Sequence, residues 1–169
     1  MPIPGSAKPG ESTAPVLCVA LGNPLMSDDG AGQEVLSRLQ SSGVEWGNRV
    51  EFVDGGTQGL ALLGHFEGRK AVVFLDAVRL GDPAGAVHVL KKNELEKMGG
   101  RATSAHEGSA PEILRALELL SCCPPEISMI GLEPEKLQMG IGLSDKVHDN
   151  IGVAAAFGRA EIRRVLSAF

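Results

Sequence analysis

A chain of 169 residues, 43% hydrophobic and 22% charged, has the make-up of one ordinary globular domain with a real core. Its net charge of −5 and the lack of any long Lys/Arg run argue against a nucleic-acid footprint. No apolar stretch approaches the roughly 20 residues that a membrane helix requires.

Residues 1–14, rich in Pro, Gly and Ser and lacking an apolar h-region, read as a flexible tail and not a secretion signal. Residues 15–169 then form a single α/β domain. Cys18, Cys122 and Cys123 cannot all pair, and the adjacent two lack CxxC spacing. Reduced thiols in a cytoplasmic protein are the expectation.

Val16 to Leu21 is a continuous apolar run, the pattern of a strand buried on both faces. It feeds Gly22-Asn23-Pro24-Leu25-Met26-Ser27-Asp28-Asp29-Gly30-Ala31-Gly32, a turn into a helix expected from about Asp29 to Gln40. Strand-to-helix turns of this kind attract anions, yet this one carries two carboxylates of its own. Asp28 could cap the helix and Asp29 could complement its dipole. The sharper alternative is a site that seeks a cation or activates water.

A second strand, Val50 to Val53, leads into Asp54-Gly55-Gly56-Thr57 and a short helix near Leu60 to His65. Lys70 to Ala77 carries the strongest strand signal and ends in Asp76. Ala86 to Leu90 is a fourth strand. The link before it is too short for a helical crossover, so it should run antiparallel to the third. The sheet is therefore mixed.

Ser109-Ala110-Pro111-Glu112 has the capping-box pattern and opens a helix to Leu120, ended by Pro124-Pro125. Ile127 to Leu132 is the fifth strand. A Gly-punctuated loop from Glu133 to Leu143 precedes the last helix, expected from Ser144 with Val147, Ile151, Ala154, Ile162 and Val165 inside.

Acidic and imidazole groups gather at the ends of these elements. Asp28 and Asp29 follow the first strand, Asp54 the second and Asp76 the third, while His106 lies in the loop before the capping-box helix. In open α/β sheets, sites form beyond the carboxyl ends of the strands, at the switch in connection direction. If strands one and three are neighbours, Asp29 and Asp76 flank that crevice. Two carboxylates and an imidazole suit a divalent first-row ion or carboxylate-assisted attack by water. The plainer alternatives are a turn role for Asp54, a capping role for Asp76 and a solvated His106. His65, His88 and His148 read as surface or packing residues.

These motifs together resemble those of the hydrogenase maturation proteases. The opening motif is Gly22 to Gly32, the second Asp54-Gly55-Gly56-Thr57 with Gly59 and Leu62-Leu63, and the third Asp76-Ala77-Val78. Thr103-Ser104-Ala105-His106 resembles the family's histidine loop. Gly131-Leu132-Glu133-Pro134 and Gly142-Leu143-Ser144 resemble its C-terminal pattern. The resemblance implies a three-layer α/β/α sandwich with a mixed, mostly parallel five-stranded sheet whose fourth strand is antiparallel. It also implies a cytoplasmic endopeptidase that removes the C-terminal extension of a nickel–iron hydrogenase large-subunit precursor once nickel is inserted.

Carried over by position, the metal-recognising residues are Asp29, Asp76 and His106, with nickel brought by the substrate and no organic cofactor. Asp54 is a possible further catalytic group. Asn23, Asp28, Gly55, Gly56 and Thr57 fall on the loops that would meet substrate, and Asp28 or Asp54 could orient a water. A phospho-receiver domain with Asp76 as acceptor is the competing reading. The Lys such a domain needs after its last strand is missing, since Gly131-Leu132-Glu133-Pro134 stands there. A nucleotide-binding turn lacks both GxGxxG and GxxxxGK[ST] spacing.

Overall fold

The computed structural model describes residues 13–42, 44, 46–98 and 107–169. The expected tail, apart from its last two residues, and His106 lie outside the described residues. Five strands form one sheet: β1 (Val16–Leu21), β2 (Val50–Gly56), β3 (Ala71–Ala77), β4 (Val87–Lys91) and β5 (Glu126–Leu132). Their spatial order is β2-β1-β3-β5-β4. The pairs β1–β2, β1–β3 and β3–β5 are parallel, and β4 runs antiparallel against β5 at the edge. The short link before β4 thus sets its direction as expected, although its sheet neighbour is β5.

Apolar side chains on both faces of the central strands create two cores. On one face Val16, Cys18, Ala20, Val73, Leu75 and Ile130 pack against α1 (Ala31–Gln40) and α5 (Ile151–Leu166). On the other, Leu17, Val19, Val72, Phe74 and Met129 meet Leu62, Phe66, α2 (Lys92–Met98) and α3 (Ala110–Leu119). Burying a side chain of this size contributes about 1.5–3 kcal/mol, so this alternation holds the three layers together. The α/β/α sandwich with a mixed, mostly parallel sheet is the architecture found. No helix among the described residues is long and apolar enough to cross a membrane.

Several helix boundaries differ from the sequence reading for identifiable reasons. Ser27–Gly30 forms a 3-10 turn, so α1 starts at Ala31 and not at Asp29. The second short helix, Gly59–His65, is likewise 3-10. Ser109 makes no side-chain cap bond; instead Gly108 N donates to Glu112 Oε2 at 2.7 Å. The last helix divides into α4 (Asp145–His148) and α5, with Asp149 and Asn150 between them. Helix α2 went unforeseen because only Leu95 and Met98 are buried along it, too few to display a period.

Charged groups fasten the outer layer. Glu161 of α5 is buried and accepts hydrogen bonds from Lys91 (2.7 Å) and Arg164 (2.8 Å). Arg164 also reaches Glu126 at 3.0 Å. Burial pushes the Glu161 carboxyl up, but the bonds from Arg164 and Lys91 outweigh it and lower its pKa from 4.5 to about 2.

Candidate functional site

The order β2-β1-β3 makes the gap between the carboxyl ends of β1 and β3 a topological switch point, because the chain leaves β1 towards β2 and later returns across it to β3. Glycines let α1 press into this gap. An ideal Cβ on Gly32 would lie 2.4 Å from the Leu75 carbonyl oxygen and 2.8 Å from that of Leu21. On Gly22, at φ 133°, it would lie 1.9 Å from the Asp29 carbonyl oxygen. Neither position admits a side chain, and Gly22 also needs its left-handed backbone. The helix entry carrying Asp29 is therefore seated on the strand end carrying Asp76.

Asp29 and Asp76 are each only 1% exposed. Asp29 Oδ2 accepts from Asn23 N at 2.8 Å, and Asp76 Oδ1 accepts from Ala77 N at 2.8 Å. Carboxyl groups buried and held by amide donors have their oxygens pre-positioned, as a cation site requires. The third expected member, His106, lies outside the described residues. The chain re-enters the described structure at residue 107, and Gly108 is packed against Gly59 just beyond β2.

Asp28 has a different position from its neighbour. It is 0% exposed, and its oxygens accept from Ser144 N (2.7 Å), Ser144 Oγ (2.8 Å), Lys136 N (2.8 Å) and Glu135 N (2.9 Å). Both of its oxygens are thus engaged within the fold. Asp28 anchors the loop between β5 and α4. Ser27 joins it from a left-handed backbone (φ 52°), with its hydroxyl bonded to Gln138 O at 2.8 Å and its amide to Gly140 O at 2.8 Å. That conformation costs a non-glycine residue about 1–3 kcal/mol and is held here by the two bonds. Met26 and Gly140 form a parallel bridge, which brings exposed Leu25, Met139 and Ile141 together as an apolar lip.

The second strand runs on to Gly56, so Asp54 lies within β2 and not in a turn after it; it is exposed, with its Oδ1 accepting from Gly56 N at 3.1 Å and from Gln33 Nε2 at 3.3 Å. Gln33, which no motif singled out, also donates to Gly22 O at 2.8 Å and so ties the turn after β1 to the end of β2. It lies one helical turn beyond Asp29, the only signal the sequence offered. Of the loop residues, Asn23 is partly exposed and Thr57 exposed, whereas Gly55 is buried beneath Leu62.

A second group of ligand-type side chains was missed. His88 was read as a surface or packing residue, but its Nε2 lies 3.4 Å from Asp82 Oδ2 and 3.4 Å from Glu133 Oε2. Among the described residues this is the grouping of three His, Cys, Asp or Glu side chains able to hold a metal ion. The acids lie 6 and 45 residues from His88 in sequence, which hid the association. The cysteines offer no alternative chemistry: all three are free, and burial pushes the Cys18 thiol up. A surface hollow of about 380 Å³, bordered by Lys91, Lys92, Glu126 and Arg164, lies at the opposite, amino end of β5.

The fold and rim thus define a doubly wound α/β sandwich with paired buried carboxylates at its switch point. Comparison with known proteins is specific: the hydrogenase maturation protease family matches residues 34–158, and the chain belongs to that family. It is 31% identical over 124 residues to the hydrogenase expression/formation protein HoxM of Cupriavidus necator, covering 73% of this chain and 61% of HoxM. It is 31% identical over 150 residues to HupD of Rhodobacter capsulatus, covering 88% of this chain and 71% of HupD. The chain therefore spans less than two thirds of HoxM's length. The hydrogenase maturating endopeptidase HybD from E. coli superposes with a TM-score of 0.77 at 26% identity, over 88% of this chain and 92% of that one. Family membership and the antiparallel β4 set aside the phospho-receiver reading.

Proposed function

We propose that this protein is an endopeptidase that removes the C-terminal extension of a nickel–iron hydrogenase large-subunit precursor after nickel insertion. Asp29, Asp76 and His106 are the residues that recognise the nickel, which arrives with the substrate. One observation carries the reading: the helix entry bearing Asp29 is seated on the strand end bearing Asp76, with both carboxylates buried at the switch point. Family membership supports the same conclusion, as does the relation to proteins named for hydrogenase formation and maturation.

Nickel held beside the scissile peptide offers polarisation of a carbonyl or a lowered pKa for water. The chain's own part is to present oxygen donors already fixed by Asn23 N and Ala77 N, so little reorganisation is needed on binding. Asp54, exposed near the carboxyl end of β2, is the water-orienting group. Asn23 and Thr57 offer polar contacts to the incoming segment, and the apolar lip of Leu25, Met139 and Ile141 suits a polypeptide partner. A nickel-free precursor lacks the anchor and binds poorly, so processing waits on metal insertion.

The test is to incubate the purified chain with nickel-loaded and nickel-free precursor and follow the mass of the large subunit. Loss of the extension only from the loaded form is expected. Equal cleavage of both forms defeats metal gating, and no cleavage of either defeats the peptidase assignment.

A further inference from the structure

We infer that Asp82, His88 and Glu133 form a second cation site, one that takes a borderline divalent ion such as Zn2+ and is resident in this chain. Three observations carry it. The donor set is one imidazole and two carboxylates, with ligand atoms all within 4.8 Å of one another. Imidazole nitrogen and carboxylate oxygen are the donors that zinc-type ions accept.

His88 Nε2 and Glu133 Oε2 share a long hydrogen bond, and the separations also match those around an ion. His88 Nε2 stands 3.4 Å from an oxygen of each acid. An N–H···O bond is shortest and strongest near 2.9 Å, and a charge-assisted one is shorter still. Donor atoms around a tetrahedral ion with arms of 2.0–2.1 Å lie about 3.4 Å apart.

The charge balance points the same way. The Glu133 side chain is 6% exposed, and Leu80 N and Gly81 N fix its oxygens at 3.0–3.1 Å. Among the described residues, the basic group within ion-pair distance of either Asp82 or Glu133 is His88. The cluster thus gathers two carboxyl groups, one of them buried, around one imidazole, and a dication is the partner that could serve both acids at once.

The site is distinct from the rim at Asp29 and Asp76. Asp76 and His88 both pair with Gly131, so they occupy one row across β3, β5 and β4. Two strand spacings of 4.7–4.9 Å separate them by about 10 Å. An ion at the second site fastens the loop between β3 and β4 to the end of β5, beside the crevice. Glu133 already holds that loop through its backbone, with Gly85 N donating to Glu133 O at 2.8 Å and Glu133 N to Ala86 O at 2.9 Å. Nothing in this inference depends on the peptidase reading.

The experiment titrates Zn2+ into the chelator-treated full chain by calorimetry, while long-range 15N spectra follow each imidazole. One equivalent that shifts the His88 Nε2 resonance is expected. His88→Ala removes that equivalent, Asp82→Asn weakens it at least tenfold, and Asp76→Asn leaves it in place. Asp82 is exposed, so Asp82→Asn still reports should His88→Ala fail to fold. Zn2+ binding that is unchanged by both His88→Ala and Asp82→Asn overturns the site, as does an unmoved His88 resonance at millimolar Zn2+.

Discussion

Ser144 holds Asp28 twice, through its backbone amide to Oδ1 at 2.7 Å and through its hydroxyl to Oδ2 at 2.8 Å. The two residues lie 116 positions apart, and their union closes the loop after β5 onto the turn after β1. The adjacent aspartates Asp28 and Asp29 therefore divide their tasks, one serving the loop and the other standing at the crevice.

Removing the Asp28 carboxylate should unfasten this loop. Asp28→Ala takes the buried carboxylate away from three backbone donors and one hydroxyl that are themselves part-buried, a loss of about 3 kcal/mol. Asp28→Asn keeps one acceptor oxygen and should cost less, about 1–3 kcal/mol. Urea denaturation measures both, and limited proteolysis should cut Asp28→Ala between Glu133 and Ser144 before any other site among the described residues. A wild-type midpoint for Asp28→Ala would refute the anchoring role.

Gly108 and Gly59 test how the segment following His106 is seated. An ideal Cβ on Gly108 would fall 2.2 Å from Gly59 Cα, and Gly108 has φ 75°. Gly108→Ala must push the two segments apart and should cost about 1–3 kcal/mol. Precursor processing should fall further than stability alone accounts for, measured at a temperature where the variant is still folded. Gly64→Ala is the control, since a Cβ there meets nothing within 4 Å. It should be neutral or stabilise by about 0.4–1 kcal/mol.

The strands were legible because burial on both faces writes continuous apolar runs, and Val16–Leu21 appears with its expected ends. The antiparallel direction of β4 followed from the length of one link. What stayed hidden was long-range: β5 as the partner of β4, Ser144 as the partner of Asp28, and two acids beside His88. These depend on which loops fold over which strand ends, and no local period encodes that. Helix ends suffered for a related reason. The tight seating of Gly22 and Gly32 imposes a 3-10 turn at Ser27–Gly30, where capping preferences alone suggested an α-helical start.

Acid should weaken the attachment of α5. Glu161 has its pKa lowered from 4.5 to about 2 in the fold, so the folded state binds fewer protons than the unfolded chain between those values. Its contribution is complete above about pH 4.5 and is lost as pH falls towards about 2. Glu161→Gln should cost about 1–3 kcal/mol at neutral pH by leaving Lys91 without its carboxylate partner and Arg164 with Glu126 alone. The difference between wild type and variant, followed by denaturation from pH 7 to pH 2.5, should shrink across the acid limb. A constant difference over that range would show that Glu161 acts by packing alone.

Asp54 and Asp76 both lie in the carboxyl-terminal parts of parallel strands, yet their surroundings predict opposite outcomes for the same substitution. Asp54 is exposed and supports the end of β2 through one oxygen, which an asparagine carbonyl can replace. Asp76 is 1% exposed and lies on the strand end that seats α1, where an amide replaces one carboxyl oxygen with an NH2 that cannot ligate a cation. Asp76→Asn should therefore reduce precursor cleavage about a hundredfold or more, while Asp54→Asn keeps it within about tenfold if its work is at that strand end. The discriminating measurement is single-turnover cleavage of nickel-loaded precursor at two substrate concentrations. A defect in Asp76→Asn that more precursor rescues points to recognition of the metal-bearing partner. One that persists at saturation points to the chemical step, and full activity removes Asp76 from the site.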